Sequence, residues 1–149
     1  MNSPALAPFG TELLDDPAAD PAVVARSLAN IARANWWFGG TAAALWGIDQ
    51  LLERVPPHQP VSLLDIGTGA ADLPAAAVRR ASRRGRLLSA IGLERSPVAA
   101  RLAAARGFPA VIGCAGQLPV RPGAVDIVLI SQVAHHLAVV RSVSDFGRA

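Results

Sequence analysis

The chain has no lysine and no tyrosine, and only one cysteine, Cys114, among its 149 residues. A lone thiol excludes an intrachain disulfide and any cysteine-rich zinc site. Arginine carries every basic charge and alanine is abundant; this is a compositional bias with little functional content. The formal charge of +3 is too small to argue for nucleic acid by itself. Residues 1–10 have neither a charged n-region nor a long apolar stretch, so no secretory signal is visible. No apolar run reaches the roughly 18 residues of a membrane span, because Arg, Asp, Gly or Pro interrupts each one. These absences leave a soluble, cytoplasmic protein as the default, with no membrane span and no bound metal. What is present is apolar: 52% of the residues are hydrophobic, enough for one domain with a real core.

Residues 1–21, rich in Pro, Ala and Asp, read as a flexible leader. Asp20-Pro21 is a helix-start signal, an N-cap followed by proline at the first helical position. Val23, Val24, Leu28, Ile31 and Ala32 then recur at helical spacing to about Asn35. Gly39-Gly40 breaks the pattern. A second helix through Leu45, Ile48, Leu51 and Leu52 stops at Pro56-Pro57. Residues 22–60 thus form a helical segment. Trp36, Trp37 and Phe38 are expected to pack beneath these helices, with a lid over a ligand as the alternative.

After Pro60 short apolar runs alternate with helical patterns. Strands are expected at Val61 to Ile66, Leu87 to Leu93, Ala110 to Ile112 and Val125 to Ile130. Helices are expected from the glycine turn to about Arg84, and from Ser96-Pro97 to near Gly107. Such alternation with short connections implies right-handed crossovers and a parallel α/β sheet, Rossmann-like, in the order 3-2-1-4. The arginines at 79, 80, 83, 84 and 86 end the first crossover helix. There they are expected to complement its dipole and stay solvated rather than form an RNA-binding patch.

In an open parallel sheet, ligands sit beyond the carboxyl ends of the strands. Four strand ends bring unusual residues there: Asp65, Gly67 and Gly69 after the first, Glu94 after the second, Cys114 after the third, Ser131 and Gln132 after the fourth. Glycines let the backbone turn sharply and approach a ligand closely, a signal shared by several nucleotide cofactors. A pyrophosphate wants an uncharged helix start, whereas here Asp65 precedes the glycines and Asp72 sits in the first helical turn. Two carboxylates suit a ligand bearing an ammonium and a sulfonium. Asp72 also has a purely structural reading, as a favourable charge at the helix N-terminus. Glu94 has the position for accepting both hydroxyls of a ribose; a surface pair with Arg95 is its alternative.

The blocks Asp65-Ile66-Gly67-Thr68-Gly69, Gly92-Leu93-Glu94-Arg95-Ser96-Pro97, Gly113-Cys114-Ala115-Gly116-Gln117-Leu118-Pro119-Val120, and Val125-Asp126-Ile127-Val128 with His135-His136-Leu137 together resemble class I S-adenosylmethionine (SAM)-dependent methyltransferases of the ubiquinone/menaquinone type. The resemblance implies SAM as cofactor and a small-molecule methyl acceptor. It implies that Gly67 and Gly69 approach the methionine part, that Asp65 helps position it, and that Glu94 holds the ribose. Cys114 and Ala115 would border the adenine, with Arg95 and Ser131 completing the cofactor site. His135 is a candidate for facing the acceptor, with helix-end packing as its alternative.

Three departures accompany the resemblance. Cys114 stands where the family commonly has an aspartate accepting from the adenine amino group, and a thiol is a weak acceptor. Ala71 replaces a frequent glycine, a change a helix is expected to tolerate. The family sheet has seven strands, whereas this sequence stops soon after its fourth, so residues 61–149 are expected to form a C-terminally incomplete SAM-binding domain. A fourth strand exposed at an edge invites self-association. The alternative to an enzyme is a non-catalytic methyltransferase-like module or an inactive remnant.

Overall fold

The computed structural model describes residues 19–131. The helix α1 (Pro21–Trp37) begins where the cap signal predicts, with Asp20 accepting the Ala22 N–H at 2.8 Å. Gly39, at φ 81°, turns the chain into α2 (Gly40–Glu53). The strands β1 (Val61–Ile66), β2 (Leu88–Glu94), β3 (Ala110–Ile112) and β4 (Ile127–Ile130) alternate with α3 (Asp72–Arg83) and α4 (Pro97–Ala105). α4 repeats the device that starts α1: Ser96 caps Ala99 N–H and Pro97 fills the first turn.

All pairings are parallel and the order is β3-β2-β1-β4, as expected. Register sets Ile66 beside Leu93 and Ile130, so β1, β2 and β4 end at one level. β4 is shorter than the apolar run that announces it. Of its first expected residues, Val125 packs against the sheet and Asp126 forms a clasp: the Asp126 carboxylate accepts both the N–H and the hydroxyl of Ser62, at 2.8 and 2.7 Å. These bonds hold the Asp126 carboxyl below its ordinary pKa.

The two faces of the sheet are covered differently. Val61, Leu63 and Leu88 share a cluster with Ile48 and Leu52 of α2 and Ala77 and Ala81 of α3. Ala103 of α4 joins Ala71 and Phe108 on this side, with Ala90 touching both groups. The opposite face, Leu64, Ile66 and Leu93, is packed by Ala115, Leu118, Val120 and Val125 from the connection between β3 and β4. Among the described residues no helix is long and apolar enough to cross a membrane.

One expectation fails. Trp36, Trp37 and Phe38 do not pack beneath the helices; they are 72%, 81% and 89% exposed. For Trp36 and Trp37 helical periodicity explains this: Val24, on the buried face of α1, is far in angle from both. Phe38 lies past the end of the helix, as its C-cap. The arginines at 79, 80, 83 and 84 are exposed, as expected, and Arg80 and Arg83 lie in the last turn of α3, but two of the group also form ion pairs. Arg80 and Arg84, each about half exposed, reach the buried Asp49 carboxylate of α2 at 2.7 and 2.9 Å. Arg86 donates to the Val55 carbonyl. The basic end of α3 therefore fastens α2 to α3.

Candidate functional site

The edge formed by the ends of β1, β2 and β4 is built around the turn from Ile66 to Asp72. Both Gly67 and Thr68 donate their N–H to the Leu93 carbonyl, at 2.8 and 3.2 Å, which hangs the turn on β2. Gly67 and Gly69 adopt φ of 71° and 56°, the left-handed region where glycine carries no Cβ penalty. A Cβ on Gly92 would come 2.7 Å from Thr68 Cβ, so only glycine at that point of β2 admits the turn. A glycine inside a strand is a sequence signal of such close approach.

Glu94 and Gly69 meet directly. The Gly69 N–H donates to Glu94 Oε2 at 2.7 Å, and the Ser96 N–H donates to Oε1 at 2.9 Å. The Glu94 carboxylate thus fastens the glycine turn to the start of α4. Each of its oxygens retains a further lone pair.

Asp65, at the end of β1, is only 3% exposed. Burial pushes its carboxyl from 3.8 up to about 7; the Thr68 side chain works against the rise and the Glu94 charge adds to it. Thr68 is also buried; its side chain approaches Asp65 closely enough to act on that carboxyl, but Oγ1 completes no well-formed hydrogen bond. A buried hydroxyl with its bonding incomplete is a place where a ligand group would be satisfied.

Asp72 finds a partner that the sequence does not reveal. Arg106, just past α4, donates to Asp72 Oδ1 at 2.6 Å and to the Ala70 carbonyl at 3.0 Å. The expected role of Asp72 in repelling a pyrophosphate is therefore corrected, since its charge is engaged by a guanidinium. A different obstacle takes its place: the Gly69 N–H that a phosphate would need is already bonded to Glu94. The expectation for Ala71 is corrected too. Its φ is 62°, and it is 2% exposed against Ala103 and Phe108. A side chain in the left-handed region costs about 1–2 kcal/mol, so the replacement of glycine there is a strain.

The structure brings Asp65, Gly67, Gly69 and Glu94 together. Ser131 follows Ile130, which pairs with Ile66, and so lies level with the start of the turn. Cys114 follows β3 on the same edge, exposed, with its carbonyl accepting the Gln117 N–H at 3.0 Å. Ala115 packs inward against the Leu64, Ile66 and Leu93 cluster. Arg95 is exposed beside Glu94. The candidates His135 and Gln132 lie outside the described residues. Thr68, Gly92 and Arg106 are additions that sequence reasoning missed.

A family model described as a methyltransferase domain matches residues 64–148, which contain the glycine turn, Glu94 and Cys114. No curated protein matches the chain. Solved structures do. A protein of Methanococcus maripaludis described as an S-adenosyl-L-methionine-dependent methyltransferase superposes with a TM-score of 0.58 at 12% identity, over 97% of this chain and 60% of that one. The plantazolicin methyltransferase BpumL in complex with SAH gives 0.52 at 21% identity, over 79% of this chain and 44% of BpumL. With a triazolic desmethylPZN analog and SAH bound, BpumL gives 0.53 at 19% identity, with 79% and 43% covered. The chain thus spans about half the length of these structures, and likeness at such identities shows the fold.

Proposed function

Because the chain belongs to the methyltransferase domain family, we propose that it carries the SAM site of a methyltransferase acting on a small-molecule acceptor. The observation that carries the reading is the Glu94 carboxylate, held at the tip of β2 by the Gly69 and Ser96 N–H groups. Its remaining lone pairs suit the two hydroxyls of a ribose. The residues fit the cofactor on other counts. The turn at Gly67 and Gly69 offers close backbone approach to the methionine part, the Thr68 Oγ1 with its incomplete bonding offers a polar contact, and Asp65 can hold an ammonium once ionised.

When bound, SAM supplies a methyl group on a positively charged sulfur, which leaves with the C–S bonding electrons as an acceptor nucleophile attacks in line. The work of this chain is alignment and exclusion of water. Glu94 and Gly69 fix where the ribose lies, and the buried floor of Asp65 and Thr68 sets the depth of the methionine part. Arg95, Cys114, Ala115 and Ser131 border the same edge in this proposal, with residues 61–149 as the cofactor-binding domain. His135 is the candidate for the acceptor side.

The second reading is a methyltransferase-like module that binds without turning over. The exposed Cys114 thiol, a weak acceptor for an adenine amino group, favours it. Calorimetric titration tests the shared basis of both. The chain should bind SAM or its demethylated product SAH more tightly than NAD. Equal or tighter binding of NAD overturns the cofactor reading, and methyl transfer to phenol, quinol or amine acceptors separates the enzyme from the module.

A further inference from the structure

All three tryptophans of the chain stand on the α1–α2 hairpin, and all three are exposed. Trp36 and Trp37 close α1, Phe38 follows as its C-cap, and Trp46 lies in the second turn of α2. We propose that this helical corner is a docking surface for an anionic lipid membrane, which it touches from one side without crossing. The surface is independent of the cofactor reading above.

Size is the first argument. Trp36, Trp37, Phe38 and Trp46 are 72%, 81%, 89% and 65% exposed, and none joins a core cluster. Aromatic side chains carry about 150–250 Å² each, so the four present on the order of 600 Å² to water. That matches the largest apolar patches of soluble monomers, about 300–600 Å², which are often functional.

Charge is the second. No charged residue occurs from Ala34 to Ile48, and residues 21–48 carry Arg26 and Arg33 with no acid at all. On α1, Arg26, Arg33 and Trp37 are spaced seven and four apart, so they share one face, turned away from the buried Val24. Both arginines are exposed. At about 1.5 Å of rise per residue, Arg33 stands about 6 Å behind Trp37 along the helix. With the aromatic corner sunk about 5–10 Å, to the acyl boundary, Arg33 falls among the headgroup phosphates. It donates to the Asn30 side chain, a neutral partner that leaves its charge for a phosphate.

Side-chain type selects the occupant. Tryptophan, a broad apolar ring with one N–H, concentrates at membrane–water interfaces. The uncharged stretch is bent at Gly39 and is shorter than the roughly 20 residues that cross a bilayer, so it lies on the surface. A second copy would set like charges facing each other across a two-fold axis. Two arginines are too few for the several phosphate contacts that hold a nucleic acid.

Intrinsic fluorescence tests the proposal directly, because the chain has no tyrosine and its three tryptophans all lie in the patch. Vesicles of phosphatidylcholine mixed with phosphatidylglycerol should shift the emission to the blue, and brominated acyl chains should quench it. In co-sedimentation the protein should partition severalfold more tightly onto these vesicles than onto phosphatidylcholine alone, and added salt should erase the difference. The double variant Trp37→Ser, Phe38→Ser should lower partition about tenfold or more. Arg33→Gln should lower it about fivefold, on the mixed vesicles only. Both variants should melt like wild type, since the replaced side chains are exposed. Equal partition onto the two vesicle types, an unshifted spectrum, or a double variant that binds like wild type overturns the proposal. A blue shift that grows with protein concentration in the absence of vesicles, with a dimer in sedimentation, assigns the corner to a second copy and overturns it likewise.

Discussion

The Glu94 carboxylate and the Gly69 backbone N–H meet at 2.7 Å across a gap of 25 residues, joining the tip of β2 to the turn that follows β1. Glu94 therefore has a structural duty before any cofactor arrives. Glu94→Ala should lose two charge-assisted bonds, to Gly69 and Ser96. The half-buried setting limits the stability loss to about 1–2 kcal/mol, while SAH affinity should fall at least tenfold. Urea denaturation and calorimetry on the same variant check the two effects. Stability lost with affinity retained would confine Glu94 to the structural duty.

Asp65 predicts a pH dependence. Its folded carboxyl titrates near 7 against 3.8 when free, so between those values the folded state binds more protons than the unfolded state. The stability that goes with the protonated form is complete below 3.8 and is lost as pH rises through about 7. Denaturation midpoints should fall between pH 5 and pH 8 by more in wild type than in Asp65→Asn. Asp126, with its lowered value, acts only at more acid pH and leaves this window clear. An unchanged pH slope in Asp65→Asn would mean that the carboxyl is ordinary.

The same residue couples proton and ligand. If Asp65 must ionise to hold an ammonium, SAH affinity should rise with pH up to about 7, and binding near pH 6 should release a proton. Calorimetry in buffers of different ionisation heat reads that proton directly. Asp65→Asn should bind SAH weakly and without proton release.

Ala71 is in the left-handed region at φ 62°. Ala71→Gly should relieve that strain and stabilise the fold by up to about 1 kcal/mol, less what the lost methyl contributed against Ala103 and Phe108. Thermal melting of the variant decides the sign. A clear destabilisation would show that packing outweighs the dihedral cost.

Cys114 is exposed at the edge where β3 ends. Cys114→Asp should give an adenine amino group a strong acceptor and tighten SAH binding at least threefold. Unchanged affinity would place the adenine away from residue 114.

Sequence alone determined the elements whose causes are local. Asp20-Pro21 and Ser96-Pro97 start helices because capping and a fixed proline φ act within one turn. Gly67 and Gly69 mark a turn because no other residue enters the left-handed region freely. Apolar runs separated by helical patterns dictate a parallel sheet, and crossover handedness its order. Tertiary structure alone decided where the charges and aromatics go. Asp49 meets Arg80 and Arg84 only because α2 packs against α3, and Asp72 meets Arg106 only because α4 ends beside the start of α3. Burial raises Asp65, which no reading of neighbours along the chain could supply. The exposure of Trp36 and Trp37 likewise follows from which face of α1 the core accepts. Ion pairing, desolvation and burial are set by distances through space, and those exist only once the helices have been laid on the sheet.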